Sequence, residues 1–214
     1  MRKIRCSIIL ALAVLLSVFA CSCKGWEEWF DEDAFAKEAT VGQFRIYYVE
    51  GKTAFVDAYF WSGDPEDTVI DFPDEYNANT PVKKLGGEST IGVTGHSGGF
   101  SIEAPKCDVY FKSLNPSDYG VPVTFEDLVF TLNFGENLEL IYDNHTSLYA
   151  KNAIGNPYRY LPVSQSDGSV IFYRVLVVVN VSPDNSNYYS KDGIMYSKAT
   201  DKKIEAFPYA ADVK

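Results

Sequence analysis

A chain of 214 residues with 46% hydrophobic and 22% charged side chains has the balance of a globular protein, which excludes wholesale disorder. Its formal net charge is -10, from 29 Asp and Glu against 19 Lys and Arg. Such a surface repels phosphate backbones, and no Lys/Arg cluster offsets it, so the expected partners do not include nucleic acid. With 15 Tyr and 14 Phe, aromatic side chains that favour pleated, half-buried surfaces, the composition points to β structure.

The first residues read MRKIRCSIILALAVLLSVFACSC. Arg2, Lys3 and Arg5 precede an apolar run from Ile8 to Ala20 that ends in small residues and cysteine, the three regions of a secretory signal. The run is shorter than the ~20 apolar residues that span a bilayer. Val18-Phe19-Ala20-Cys21 resembles the lipobox of bacterial lipoproteins, with Phe19 an atypical occupant. The resemblance implies that residues 1–20 are removed and that Cys21 carries the lipid, with Cys23 a poorer second candidate. Acyl chains contribute about 0.8 kcal/mol per buried CH₂, so two or three hold a protein at a membrane. Outside the cytosol, Cys23 and Cys107 could pair, but one pair is not a disulfide framework.

Residues 21–40 read as an acidic tether. Trp26, Trp29 and Phe30 fall at helical spacing among Glu27, Glu28, Asp31, Glu32 and Asp33. Two readings stand, a solvated spacer and a short amphipathic helix that docks on the domain or on a partner. Residues 41–214 are expected to form a single domain. Gln43–Glu50 and Thr53–Trp61 alternate around a Gly51-Lys52 turn and predict a hairpin. Thr68–Pro73 and Phe100–Pro105 are short apolar strands stopped by proline, and Pro81–Gly86 is one stopped by glycine. Leu128–Gly135 and Val175–Pro183 each place four apolar side chains on one face. A unit therefore recurs: short apolar strand, proline or glycine stop, polar turn. Such units bury their apolar faces by stacking.

Two stretches break that rhythm. Residues 86–99 hold six glycines and predict a loop, and residues 144–169 are long and polar with no clean period. Insertions of this kind are where contacts with partners are expected.

Motifs for catalysis are absent. The two histidines, His96 and His145, form no HExxH, no Gly-x-Ser-x-Gly exists, and Gly95–Gly99 lacks the Lys-Ser/Thr of a phosphate loop. No metal or cofactor is expected. Asp64, Glu66, Asp67, Asp71, Asp74 and Glu75 match no EF-hand spacing and read as a solvated acidic face. Loop tyrosines carry the remaining signal. Tyr110, Tyr119, Tyr158 and Tyr160, with Tyr188 and Tyr189, are candidates for a binding platform, weighed against a role in covering the ends and loop bases of the fold.

Asn180–Asn185 (NVSPDN), Tyr188–Lys198 (YYSKDGIMYSK) and Ile204–Pro208 resemble the terminal rung of BspA-type leucine-rich repeat proteins. Tyr47–Gly51, Thr53–Tyr59, Val69–Pro73 and Pro81–Gly86 are similar to that domain's opening hairpin and first rung, and Phe130–Ile141 to an interior rung. The likeness covers about half the chain. It departs from the family in wider strand spacing and in lacking the asparagine ladder and the A-F-x-x-C turn. It implies a mainly β fold, a short right-handed leucine-rich-repeat-like β-solenoid with an N-terminal β-hairpin. Gly193–Ser197 against Lys203–Phe207 would form the C-terminal hairpin cap. It also implies a lipid-anchored protein of the bacterial envelope, at the outer membrane or cell surface. That protein would be non-catalytic and adhesin-like, held by its N-terminal lipid and binding an unidentified protein partner. The alternative is a glycan-binding lipoprotein.

Overall fold

The computed structural model describes residues 36–86, 100–141 and 160–213. These residues are mainly β, with thirteen strands and no α-helix among them. Strands β1 (Lys37–Val41), β2 (Phe44–Val49) and β3 (Thr53–Phe60) form an antiparallel meander. The turn between β2 and β3 uses Gly51 at φ 70, a left-handed conformation that costs glycine nothing. The expected tether thus ends inside a strand, since Lys37–Thr40 pair with Arg45–Tyr48.

Beyond β3 the chain alternates between two sheets. Strand β4 (Val69–Asp71) is followed by β5 (Glu75–Asn77) and β6 (Thr80–Leu85), then by β7 (Ser101–Glu103). A long β8 (Val123–Phe134) turns into β9 (Leu140–Ile141). The last strands are β10 (Tyr160–Ser164), a long β11 (Val170–Val181), β12 (Tyr188–Lys191) and β13 (Ile194–Ser197). One sheet has the order β10-β11-β8-β4, in which β4, β8 and β11 are parallel. In the other, β6 pairs in parallel with both β3 and β9. Strand β4 therefore leads to β6 as β8 leads to β9, and each member of one pair lies beside its counterpart in the other.

The register places equivalent residues side by side. Ile70 aligns with Leu132 and Leu132 with Val179, and all three are buried. Leu128, Phe130, Leu132 and Phe134 of β8 join Val175, Val177 and Val179 of β11 in one core with Ile46, Val56, Leu85, Phe100 and Ile102. Period-two alternation makes this possible, because every second side chain of a strand faces the same way. Trp61 seals the lower end of that core, edge-on to Phe130 at 5.6 Å and to Tyr173 at 5.8 Å.

Several expectations change. Both long strands begin well before their apolar runs, at Val123 and Val170. The expected loop over 144–169 contributes strand β10, which pairs antiparallel with β11. Pro162 is tolerated there because β10 is an edge strand. The C-terminal hairpin forms between Tyr188–Lys191 and Ile194–Ser197, not between Gly193–Ser197 and Lys203–Phe207. Its turn is Asp192-Gly193, both at positive φ, the two-residue turn that matches the twist of paired strands. Lys203 makes a single bridge to Tyr196 instead.

Candidate interaction surfaces

The parallel sheet has one face in the core and one face outward. On the outward face, the register brings Asp71, Asn133 and Asn180 into a line. Asn180 Nδ2 donates to Asn133 Oδ1 at 2.8 Å, and Asn133 Nδ2 donates to Asp71 Oδ1 at 2.6 Å. The sequence lacks the family's asparagine ladder, yet a line of side-chain amide bonds crosses all three strands. Only the register reveals it, since the three residues are far apart in the chain.

Two residues below this line, Val69, Thr131 and Val178 align, with Val69 54% exposed. Val129, on the same face of β8, is 40% exposed. Further down, Arg174 grips Asp127 through two bonds of 2.7 and 2.6 Å. That guanidinium holds the Asp127 carboxyl below the usual carboxylate range.

The lowest part of the face is covered. The 105–122 segment folds over it and builds a second core from Cys107, Phe111, Tyr119, Val123, Tyr160, Val170 and Phe172. Tyr160 is 7% exposed and stacks on Phe111 with ring centres 4.8 Å apart. Tyr119 is 8% exposed, and its hydroxyl accepts from the amides of Lys112 and Ser113 while donating to Ser113 O. These two tyrosines hold the covering segment in place instead of presenting rings to solvent. Tyr110 is 52% exposed, and Tyr158 lies outside the described residues. So do Cys21, Cys23, His96, His145 and most of both predicted insertions. Cys107 is a buried free thiol whose sulfur accepts from Ser164 Oγ at 3.2 Å.

A charge cluster lies apart from this face. Arg45 bonds Asp57 through Nε at 2.6 Å and also through Nη2, and reaches Glu103 at 3.2 Å. Arg45 and Asp57 are buried, and the guanidinium sits 5.8 Å from the centre of the Phe60 ring. Arg45 thus bridges the carboxylates of Asp57 on β3 and Glu103 on β7 and fixes both side chains.

The acidic residues at 64–75 do not converge. Asp67 accepts from Ser62 and Gln43, Asp64 caps the amide of Glu66, and Asp71 joins the amide line. No group of three His, Cys, Asp or Glu side chains among the described residues could hold a metal ion.

The two edges of the parallel sheet differ. On β11 the outer edge is closed: β10 pairs with its lower half. In its upper half Val177 N donates to Pro208 O, Val179 N to Gly193 O and Val181 N to Ser190 Oγ. On β8, among the described residues, the outer edge is paired only from Thr131 to Asn133, by β4. Nothing in the sequence marked Phe125, Asp127 and Val129 as edge residues.

No family model matches the chain, and no curated protein matches it. Among solved structures, the chain is similar to the pneumococcal vaccine antigen PcpA at 10% identity and a TM-score of 0.20. That alignment covers 76% of this chain and about half, 54%, of PcpA.

Proposed function

We propose that this chain is a lipid-anchored protein of the bacterial envelope whose β domain binds another protein and performs no catalysis. In this reading the domain is a short solenoid. The meander of β1 to β3 opens it, and β12 with β13 caps it. The stacking of β4, β8 and β11 with equivalent residues in register supports the solenoid, as does the parallel pairing of β6 with β9. The leader and Cys21 support the anchor.

The observation that carries the binding reading is the half-open outward face of the parallel sheet. The covering segment buries its lower end, whereas Val69 and Val129 stay exposed between the amide line and the Arg174–Asp127 pair. Apolar side chains framed by fixed polar ones are the makings of a contact patch.

A photo-cross-linking residue at Thr131, in the full chain on intact cells, should give a discrete protein adduct. The same residue at exposed Lys191, on the capping hairpin, should give none. Saturable binding on a glycan array with no protein adduct from Thr131 would overturn the reading. The anchor is tested separately. Cys21→Ser should yield an unlipidated product, and continued membrane partition would move the lipid to Cys23.

A further inference from the structure

We infer that the outer edge of β8, from Thr124 to Phe130, is a docking slot for an extended, basic and apolar segment of a protein partner, which adds to the sheet as a strand. This deepens the protein-binding reading and rests on it.

The slot follows from hydrogen-bond geometry. In a parallel strand, the N–H and C=O of one residue point to the same side, and alternate residues point to opposite sides. Thr131 N donates to Thr68 O, and Asn133 O accepts from Phe72 N, so the odd-numbered residues of β8 face β4. Below Thr131, the chain that would continue β4 has already turned away through Trp61–Thr68. Phe125, Asp127 and Val129 therefore aim three N–H and three C=O groups outward. Among the described residues, none of these groups has a hydrogen-bond partner. The opposite edge of the sheet, closed by β10 and by the C-terminal segment, shows that this fold satisfies an edge where it needs to.

Charge selects the occupant. Exposed Glu126 and Asp127 lie along the slot and point to opposite faces of the sheet. The nearest cation on the sheet, Arg174, is committed to Asp127. A second copy of this chain, laid antiparallel on the same edge, would bring Glu126 and Asp127 of both copies together, and like charges across a strand pair repel. A segment with lysines or arginines alternating with β-branched residues meets both demands. Its backbone pairs with Phe125, Asp127 and Val129, its cations lie on the face of Glu126, and its apolar side chains on the other face extend the surface at Val129. At about 3.3 Å per residue, an octapeptide spans the slot from Thr124 to Phe130 with one residue to spare.

The test uses the full chain and a synthetic octapeptide alternating lysine and valine, with hydrogen–deuterium exchange read by mass spectrometry. The peptide should slow exchange in the Thr124–Phe130 region and leave the capping hairpin unchanged. A copy N-methylated at alternate residues, or one with glutamate for lysine, should bind at least about tenfold more weakly. Val129→Pro removes one outward N–H while leaving the pairing with β11 intact, because proline is tolerated on an open edge. It should weaken the lysine–valine peptide by a similar factor, and Glu126→Lys should weaken it without altering the fold. Equal affinity for the N-methylated peptide, protection elsewhere, or no binding would overturn the slot. Concentration-dependent protection of the same region without peptide would assign the edge to a second copy instead. A protein adduct from Thr131 that persists in Val129→Pro would leave the binding module standing and remove only the slot.

Discussion

The side-chain amide of Asn180 donates to the side-chain oxygen of Asn133 at 2.8 Å, across the boundary between β11 and β8. Asn133 passes the line on to Asp71 on β4, so one residue both accepts and donates. Asn133→Ala should cost about 1–2 kcal/mol, because two bonds are lost, and Asn180→Ala about half as much. Urea denaturation of both variants checks this. Equal losses would mean that the line does not act as a chain.

Asn185 does for the turns what that line does for the strands. It is fully buried, and its Nδ2 donates to Gly135 O at 3.0 Å, Glu136 O at 3.2 Å and Leu138 O at 3.0 Å. Its Oδ1 accepts from the amides of Asn187 and Tyr188. One side chain thus joins the turn after β11 to the turn after β8. Asn185→Ala would orphan buried carbonyls and amides, and a loss of about 3 kcal/mol is expected in chemical denaturation. Asn185→Asp should be no better, because it sets a carboxylate against three carbonyl oxygens.

Tyr209 predicts an alkaline limit. Its ring is fully buried, and its hydroxyl donates to Ile204 O at 2.8 Å. Burial, above all, pushes the phenol well above its usual range. The folded state then keeps a proton that the unfolded chain releases near pH 10. The stability this provides is fully present below that pH and is lost as pH rises towards the folded pKa. The slope from this group is about 1.4 kcal/mol per pH unit. Tyr209→Phe should be less stable at neutral pH and should show a shallower decline above pH 10, measured by denaturation from pH 8 to 11. An unchanged slope would contradict the assignment.

The Arg45–Asp57 pair predicts an asymmetry between variants. Asp57→Ala leaves a buried guanidinium with Glu103 as its remaining acidic partner, and a loss of about 3 kcal/mol is expected. Glu103→Ala removes the longer contact and should cost less. Replacing Arg45 and Asp57 together with apolar residues of similar volume should recover part of the loss. A double variant less stable than the sum of the two singles would argue that the pair has a role beyond satisfying itself.

Much of the strand pattern was legible from apolar alternation bounded by proline and glycine. The 44–60 hairpin, β4, β6 and β7 lie where those signals place them. The lower halves of β8 and β11 were hidden because Glu126, Asp127 and Arg174 interrupt the apolar run, and the Arg174–Asp127 pair forms only across strands. Strand β10 was hidden by Pro162 and by the polar stretch before it. The Asp192-Gly193 turn was present in the sequence, but its pairing went to the following segment. Exposure of the tyrosines was the least legible feature. Tyr119 and Tyr160 become core only because the 105–122 segment, which runs into β8, folds back over the sheet. Asn185 was marked only as the end of the NVSPDN motif, and its role as a clamp was hidden because the carbonyls it holds lie about fifty residues earlier.

Everything proposed for the domain depends on β4, β8 and β11 lying side by side in parallel. Nuclear magnetic resonance tests this directly through inter-strand contacts between amide and α protons. Leu132 should show such contacts to Val178–Asn180 on one side and to Val69–Asp71 on the other. Close α-proton pairs between these segments, the mark of antiparallel strands, would contradict the stacked arrangement. So would the absence of contacts between β4 and β8.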